Sequence, residues 1–259
     1  MGKISWGKGF LYQGNCPICA DMKTHFALIV AAGSGLRMNS ETKKQYLLLN
    51  GIPILTRTLM AFYSVEDIRK IILVVPENDM EYCESKLLKP YGVTKKIHLI
   101  AGGNHRQDSV FNGLKYIRNT LEPGTDAVVL IHDGVRPFVN KDIIGNCIKN
   151  VMPSAACVPG IGISDTVKQV LPDLSVQKTI SREHLYLVQT PQCFYLNPIL
   201  AAFEYAIKTS FLGTDDASIF EHFGGKVQII KGSKLNIKIT TIEDLSLGEL
   251  YLSKTQGYG

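Results

Sequence analysis

Five short, largely apolar runs constrain the fold of this chain more than any other feature of its sequence. They lie at residues 26–31, 71–75, 97–100, 127–131 and 155–158. None shows the strict polar–apolar alternation that marks a strand with one solvated face. Strands buried on both faces are typical of parallel sheets covered by helices. The runs therefore predict the strands of a mostly parallel sheet.

Helical patterns separate these runs at residues 54–62, 78–89 and 107–118. The first pattern follows Pro53, a residue suited to the first turn of a helix. This alternation of strands and helices predicts an α/β fold, a twisted sheet with helices on both faces. The 259 residues contain no visible repeat, low-complexity tract or linker, so we expect one domain.

Residues 162–183 break the alternation of strands and helices. Two β-prone segments flank a turn at Pro172 and Asp173, and the stretch has few large apolar residues to bury. We expect a projecting hairpin, an arm that needs another chain to pack against. The arm therefore predicts an oligomer.

The composition excludes several classes of partner. The 28 Lys and Arg residues are scattered rather than gathered in a stripe with aromatic residues, so we expect no nucleic-acid partner. No apolar run is as long as a membrane span, so we expect no membrane partner. The six cysteines are irregularly spaced and form no disulfide framework, which predicts a reduced, cytoplasmic protein.

The residues before His25 are poorly patterned. Met22 and Lys23 make a natural start for a chain that opens directly into its first strand. We therefore expect residues 1–22 to be an N-terminal extension, disordered or not native, ahead of a single domain at residues 23–259.

A glycine-rich loop follows the first predicted strand, where ligands of parallel sheets bind. Gly33 and Gly35 allow backbone N–H groups to approach phosphate oxygens, and Arg37 and Lys44 add cations to the same region. Met38 stands where the dinucleotide-binding fingerprint needs a small residue, and the loop lacks the Gly-Lys-Ser/Thr of a P-loop. A tight strand-to-helix turn with solvated cations is the alternative.

The fourth predicted strand ends in His132-Asp133, followed by Arg136. A carboxylate at this end of a strand can face Mg²⁺ or a ribose hydroxyl. An ion pair between Asp133 and Arg136 that holds the loop is the alternative. For His132, a packed, hydrogen-bonded imidazole is favoured over a general base.

Four further loops mix polar groups with turn signals, at residues 102–109, 189–192, 214–218 and 236–240. Each alone is consistent with helix capping. Within the sequence we find no nucleophile–base arrangement and no zinc motif, so phosphoryl chemistry on an anionic substrate is favoured.

Taken in order, these motifs resemble the 2-C-methyl-D-erythritol 4-phosphate cytidylyltransferases of the non-mevalonate isoprenoid pathway. The matching segments are Ala31-Ala32-Gly33-Ser34-Gly35-x-Arg37-Met38, Lys44-Gln45-Tyr46-Leu47, Gly103-x-x-Arg106-Gln107-Asp108-Ser109-Val110, His132-Asp133-x-x-Arg136-Pro137, Asp165-Thr166-x-Lys168, Gln189-Thr190-Pro191-Gln192, Thr214-Asp215 and Asn236-Ile237-Lys238-Ile239-Thr240. The resemblance spans about residues 24–253.

This resemblance implies a Rossmann-like nucleotidyltransferase fold and a homodimer formed through the arm at about 162–183. It implies a single cytidylyltransferase domain that transfers CMP from CTP to the sugar phosphate, giving 4-diphosphocytidyl-2-C-methyl-D-erythritol and pyrophosphate. The substrate phosphate attacks the α-phosphorus of CTP in line, with Mg²⁺ or another divalent cation present. Because two polyanions must meet, cations matter more than an acid or a base.

The resemblance also implies roles for individual residues. The catalytic positions are Arg37, Lys44, Arg182 and Lys238. The nucleotide-binding positions are Ala31, Ala32, Gly33, Ser34, Gly35, Gly103, Asn104, Ser109 and Asp133. The substrate-binding positions are Arg136, Thr166, Arg182, Thr190, Thr214, Lys238 and Thr240, of which Thr166 and Arg182 come from the partner's arm. Asp133 is the one candidate metal ligand, because Mg²⁺ is held mainly by the CTP phosphates.

The chain departs from the family pattern at two places. Lys43 stands where the family usually has proline, and Gly134-Val135 replaces a common pair of alanines. Valine at the second position is also similar to ribitol 5-phosphate cytidylyltransferase, which is the alternative enzyme. A second alternative is a catalytically silent CTP-binding homologue, whose sign would be loss of Arg37, Lys44 or Lys238. All three cations are retained.

Overall fold

The computed structural model describes residues 24–33 and 43–256, and the side chains up to residue 254. The predictions for the N-terminal extension and for Ser34, Gly35 and Arg37 lie outside the described residues. Within those residues, no helix has the length and apolar character that crossing a bilayer requires.

One half of the central sheet is parallel, as the apolar runs predict. The first strand, β1 (Thr24–Val30), lies between β4 (Ile68–Val75) and β6 (Ala127–Asp133), and β5 (Ile97–Ala101) pairs with β4. All three pairings are parallel, so these four strands end along one edge of the sheet. That edge carries the loops in which the sequence places most of the candidate site.

The other half of the sheet is mixed. Strand β11 (Gln192–Tyr195) runs antiparallel to β6 and to β7 (Ala155–Gly162), and β10 (Tyr186–Val188) runs antiparallel to β7. Strand β12 (Lys226–Lys231) pairs with β7 in parallel. The strand order is β10-β7-β11-β6-β1-β4-β5, with β12 also on β7. The predicted α/β class is confirmed, with antiparallel strands that the sequence did not indicate.

Helices cover both faces of the sheet. Their bounds are α1 Ile54–Tyr63, α3 Arg106–Asn119, α4 Lys141–Asn150, α5 Leu196–Lys208, α6 Asp216–His222 and α7 Ile242–Gln256. Alternate residues of β1 point into different cores: Ala27 and Ile29 pack with α1 and α4, whereas Phe26 and Leu28 pack with α3, α5 and α6. A strand that contributes to two cores must be apolar throughout, which explains its unbroken pattern.

The segment predicted to be helical at 78–89 is helical, but its type of helical turn changes along its length. A 3₁₀ turn at Glu77–Asp79 leads into α2 (Met80–Tyr82), then into a π turn at Cys83–Leu88 and a 3₁₀ turn at Lys89–Tyr91. Pro90 has no amide hydrogen to continue an α-helical ladder, and Gly92 ends the segment with a φ of 66°. A helical hydrophobic pattern is therefore present without one regular helix.

The predicted hairpin arm is present. Strands β8 (Val167–Val170) and β9 (Val176–Ile180) pair only with each other, in a separate antiparallel sheet. Strand β2 (Leu48–Leu49) and strand β3 (Ile52–Pro53) form a second small hairpin ahead of α1. The arm exposes apolar side chains, with Leu174 79% and Val176 58% exposed.

Four cysteines of the described part of the chain are free and fully buried: Cys83, Cys147, Cys157 and Cys193. Cys157 and Cys193 are register partners on β7 and β11. Burial raises the pKa of Cys83 and of Cys193 above the ordinary thiol value. Cys83 and Cys193 are therefore protonated core residues.

The packing of α3 on β1 leaves no room for a side chain at Gly113, because a Cβ there would overlap the side chain of Leu28. We expect Gly113→Ala to lower the free energy of unfolding by about 1–3 kcal/mol, since overpacking outweighs the gain in helix propensity. Urea denaturation followed by circular dichroism measures this change.

Gly145 in α4 provides the matched control, because nothing lies within 4 Å of a Cβ built there. We expect Gly145→Ala to raise the free energy of unfolding by about 0.5–1 kcal/mol through helix propensity alone. Equal effects of the two substitutions would contradict the tight contact between α3 and β1.

Candidate active site

A cleft of about 830 Å³ opens at the carboxyl ends of the parallel strands. It brings together nine of the predicted residues: Ala31, Ala32, Gly33, Lys44, Gly103, Asn104, Ser109, Asp133 and Lys238. Counting Lys44 and Lys238, four cationic side chains line the cleft in the described part of the chain; the other two are Lys43 and Arg106. The single carboxylate among these lining residues is that of Asp133. Such a cleft favours a polyanionic ligand.

Close backbone contacts shape the floor of the cleft. The Ala31 N–H donates to the Val74 carbonyl at 2.8 Å, which extends the β1–β4 ladder past the strand. A Cβ on Gly102 would collide with the Cβ of Ala32, so glycine is needed where the loop after β5 approaches the loop after β1. The backbone groups of the two loops can therefore face one ligand.

Ser109 holds the loop that was predicted to contact cytosine. Its hydroxyl accepts a hydrogen bond from the Gly103 N–H at 3.1 Å and donates to the His105 carbonyl at 3.0 Å. The Asp108 carboxylate accepts from the His105 N–H at 3.0 Å and caps the start of α3. Ser109 is buried, so it orders the backbone of this loop. Its predicted contact with the base stays a prediction.

Gln45 ties the turn that carries Lys44 to the glycine-rich loop. Its side-chain amide donates to the Ala31 carbonyl at 3.0 Å and to the Gly33 carbonyl at 3.2 Å. Gln45 is buried within the 3₁₀ turn Lys44–Tyr46. The sequence motif contained Gln45, but only the structure indicates that it joins the two segments.

Asp133 is the electrostatic centre of the cleft. Its carboxylate lies 2.9 Å from the Lys238 ammonium, 3.3 Å from Arg106 Nε and 3.7 Å from Arg136 Nε. Burial by itself raises the pKa of Asp133, but these three cations together hold it well below its usual range. The carboxylate is therefore ionised at any pH at which the protein works.

Arg106 connects Asp133 to a second buried carboxylate, Asp216. The two guanidinium nitrogens Nη1 and Nη2 donate to Asp216 at 2.9 and 2.7 Å. Burial opposes the charge on Arg106, yet Asp216 and Asp133 raise its pKa above the ordinary value. Asp216 itself is fully buried in the first turn of α6. Sequence reasoning assigned no role to this pair, because its members are 110 positions apart.

His132 supports Asp133 from within the core. Its Nε2 lies 3.1 Å from the Arg136 carbonyl, and its Nδ1 lies 2.9 Å from the Thr190 hydroxyl, which accepts from the Asp133 N–H. Burial lowers the pKa of His132 to about 4. A neutral imidazole that donates from Nε2 and accepts at Nδ1 satisfies all three partners. This favours the packed imidazole over a general base.

The segment that carries Lys238 is fixed at several points. The Ile239 N–H donates to the Val135 carbonyl at 2.9 Å, and Arg136 donates to the Asn236 carbonyl at 2.9 Å. Arg136 thus contacts protein groups and is largely buried. The substrate-binding roles predicted for Arg136 and Thr190 stay predictions.

Two predicted residues, Thr166 and Arg182, lie on the arm and do not line the cleft of their own chain. Both are exposed, and the Arg182 guanidinium donates to the Ser164 carbonyl across the base of the hairpin. The chain by itself does not bring them together with Lys44.

Thr214 and Thr240 also lie outside the lining of the cleft. Thr214 precedes α6 and is exposed, whereas the N–H and hydroxyl of Thr240 both donate to Asp244 in the first turn of α7 at 2.8 Å. Their predicted contacts with substrate stay predictions.

The described residues contain no group of three or more His, Cys, Asp or Glu side chains that could hold a metal ion. Asp133 is the one carboxylate among the described residues that line the cleft, and cations face it on several sides. A divalent cation in the cleft would therefore need ligands from a bound polyphosphate.

A cation-lined cleft at the carboxyl ends of parallel strands, on this sheet, defines a Rossmann-like nucleotidyltransferase. Residues 25–254 match the family described as IspD, 2-C-methyl-D-erythritol 4-phosphate cytidylyltransferase. The chain belongs to this family. The family, the enzyme class and the activity predicted from the sequence are confirmed.

Individual relatives agree with this assignment. The 2-C-methyl-D-erythritol 4-phosphate cytidylyltransferase of Syntrophus aciditrophicus is 43% identical over 231 residues, covering 89% of this chain and 97% of that protein. The enzyme of the same name from Clostridium botulinum strain 657 is 44% identical over 233 residues, covering 90% and 99%. The crystal structure of the 4-diphosphocytidyl-2C-methyl-D-erythritol synthase from Anaerococcus prevotii has a TM-score of 0.76 at 34% identity, covering 89% and 96%.

Loss of Arg106 leaves the fully buried Asp216 without its cation. We expect Arg106→Met to lower the free energy of unfolding by about 3–5 kcal/mol, because an unpaired buried charge is costly. The double variant Arg106→Met/Asp216→Asn should be more stable than Arg106→Met alone, since no charge is then stranded. Urea denaturation of both variants measures the difference. A double variant that is less stable would contradict the pairing.

The same pair predicts a pH dependence. Burial raises the pKa of Asp216 while Arg106 opposes that rise, so removal of Arg106 raises the pKa further. In Arg106→Met the native state keeps a proton that the unfolded chain loses above about pH 4. We therefore expect the stability deficit of the variant to widen from pH 4 to pH 7. If the difference in unfolding free energy between variant and wild type stayed constant from pH 4 to pH 7, a raised pKa of Asp216 would be excluded as its cause.

Proposed function

We propose that the cleft catalyses the family reaction through the residues that line it. The reaction transfers CMP from CTP to 2-C-methyl-D-erythritol 4-phosphate. An oxygen of the sugar phosphate forms a bond to the α-phosphorus of CTP, and the bond from that phosphorus to the oxygen of the β-phosphate breaks. The products are 4-diphosphocytidyl-2-C-methyl-D-erythritol and pyrophosphate. The convergence of four cations on one cleft supports this proposal most directly.

The nucleotide occupies the part of the cleft between the loops after β1 and β5. Backbone N–H groups at Ala32 and Gly33 bind phosphate oxygens, because successive N–H groups in a turn form an anion site. Ser34 and Gly35, outside the described residues, are assigned to the same phosphates. The loop at Gly103 and Asn104 takes the cytosine. The hydrogen bonds of Ser109 support this assignment, since they hold that loop in one conformation before the base arrives.

Cations stabilise the charge that develops during transfer. Lys44, together with Arg37, neutralises the triphosphate as negative charge moves to the leaving pyrophosphate. Lys238 neutralises the incoming sugar phosphate and is held at the cleft by Asp133 at 2.9 Å. Asp133 is thus a positioning residue for Lys238 as well as a candidate contact for the ribose.

The cofactor in this proposal is Mg²⁺ or another divalent cation that enters with CTP. The CTP phosphates supply most of its ligands, and Asp133 supplies the single protein ligand. The residues of the cleft support this assignment of metal ligands, because one carboxylate that faces several cations is too weak a site to bind a metal ion on its own. When bound, the cation lowers the negative charge of the triphosphate.

The working enzyme in this proposal is a homodimer joined through the arm at 162–183. Two observations support it. The two-stranded hairpin has no sheet partner among the described residues of its own chain and exposes Leu174 and Val176, and such hairpins are barely stable alone. Thr166 and Arg182 lie outside the cleft of their own chain, so in the dimer they reach the sugar phosphate in the partner's cleft.

The remaining substrate contacts are assigned to Arg136, Thr190, Thr214 and Thr240.

We also assign the enzyme to the cytoplasm, which the free, buried cysteines support because reduced thiols persist there.

The choice of acceptor tests the proposed function directly. Purified enzyme with CTP and Mg²⁺ should release pyrophosphate rapidly with 2-C-methyl-D-erythritol 4-phosphate and much more slowly with ribitol 5-phosphate. A coupled pyrophosphate assay with both acceptors in parallel measures the ratio. Faster turnover of ribitol 5-phosphate would establish the alternative enzyme, and no release with either acceptor would indicate a silent homologue.

Lys44→Ala tests the role of the catalytic cation. We expect kcat to fall by about 10²–10³-fold while the Kd for CTP changes little, because the contact strengthens as charge moves to the leaving group. Lys149→Ala, which removes an exposed cation on α4, is the control and should keep full activity. An unchanged kcat in Lys44→Ala would remove Lys44 from the mechanism.

Mixed dimers test whether the arm serves the partner's cleft. Arg182→Ala and Lys238→Ala should each be nearly inactive. An equimolar mixture, unfolded and refolded together, should recover about a quarter of the wild-type activity, because half of the dimers then contain one intact cleft. If each arm served its own chain, mixing would restore nothing.

A further inference from the structure

The turn that carries Lys44 is anchored a second time, by Asp79. The Lys43 ammonium and the Tyr46 hydroxyl each donate to the same oxygen, Oδ2 of Asp79, at 2.6 Å. The Lys43 side chain is 33% exposed and the Asp79 side chain 16% exposed, so this contact is partly shielded from water. A shielded, charge-assisted contact of this length is stronger than an ordinary surface ion pair.

The surroundings of Tyr46 favour its hydroxyl as the hydrogen-bond donor in this contact. Its ring lies 5.1 Å from the ring of Tyr82, and its hydroxyl lies 3.5 Å from the Cys83 sulfur. Burial, and then the hydrogen bond to Asp79, raise the pKa of Tyr46 above its ordinary value. The phenol therefore keeps its proton and donates it to the Asp79 carboxylate.

These contacts are made by residues on both sides of Lys44 in the sequence. Lys43 precedes the turn and Tyr46 is its last residue, and Asp79 holds both of them. Gln45, inside the turn, holds the carbonyls of Ala31 and Gly33 in the glycine-rich loop. The short helical segment after β4 thus holds the turn through Lys43 and Tyr46, and Gln45 joins the same turn to the glycine-rich loop.

The contact also changes the charge available to a ligand. Lys43 lines the cleft, and without a partner it would present a second ammonium group beside Lys44. The Asp79 carboxylate compensates that charge at 2.6 Å. Lys43 thus serves as a tether of the turn.

We propose that Asp79 is a positioning residue, which fixes the turn at 43–46 and thereby sets the place of Lys44 in the cleft. The proposal rests on the catalytic role given above to Lys44. Asp79 does not touch the substrates, so its loss should affect the transition state through Lys44 and leave CTP binding nearly intact.

Asp79→Ala tests the proposal. We expect kcat to fall about tenfold with little change in the Kd for CTP, because a small displacement of a catalytic cation is costly. Tyr46→Phe keeps the ion pair and should lose only a few-fold in kcat. Glu84→Ala is the matched control, because Glu84 lies on the same segment and pairs with Lys89 at the exposed surface. It should keep full activity.

The decisive measurement is the effect of Asp79→Ala in a Lys44→Ala background. If Asp79 acts through Lys44, the double variant should have the same kcat as Lys44→Ala alone. Multiplying effects would show a general structural role and overturn the proposal. An Asp79→Ala variant with wild-type kcat would also overturn it.

Stability is measured alongside by thermal denaturation. Should Asp79→Ala not fold, Asp79→Asn and Tyr46→Phe take its place in the same comparison, because both keep part of the contact. A wrong proposed function would be recognised separately, because the wild-type enzyme would then be inactive or Lys44→Ala would be fully active.

Discussion

The carboxylate of Asp133 is the interaction on which the site depends. It is fixed at the end of β6, its backbone N–H donates to Thr190, and three cations from separate segments converge on its two oxygens. Without this negative charge the cations would repel one another, and the segment carrying Lys238 would lose its attachment to the sheet. Arg106 extends the network to Asp216 and so to α6. The cleft therefore keeps an excess of positive charge while each buried charge has a partner, which is what a site for two polyanions requires.

The sheet could be predicted where burial alone decides the structure. Strands β1, β4, β5, β6 and β7 are mostly apolar because they feed cores on one or both faces, and the sequence shows them directly. Strands β10 and β12 are partly or wholly exposed, so no buried run marks them. Strand β11 is fully buried but only four residues long, and it begins inside a polar motif. The segment after β4 is helical, as its spacing predicts, but its sequence does not indicate the changes between 3₁₀, α and π turns.

The candidate site was predictable as a set of loops but not as a set of contacts. The motifs identified Lys44, Asp133 and Lys238, because glycine-rich turns and polar strand ends have local signatures. Among the partners of these residues, Arg136 could be anticipated because it lies three positions after Asp133, whereas the distant partners have no local signature. The pairing of Arg106 with Asp216, and of Lys43 with Asp79 36 positions away, is fixed by how distant segments pack. Family resemblance supplied roles for single residues, and the structure adds the hydrogen bonds that hold those residues in place.

The reactivity of the buried cysteines reports local opening of this enzyme. Cys147, Cys157 and Cys193 are sealed between β7, β11 and α4, so a thiol reagent reaches them only when the sheet itself opens. Cys83 is sealed by the turns after β4, beside Tyr46. Because proteins open in parts with different free energies, we expect the two groups of thiols to be modified through different opening events. Their separate labelling rates distinguish a local loosening next to the catalytic turn from disruption of the whole fold.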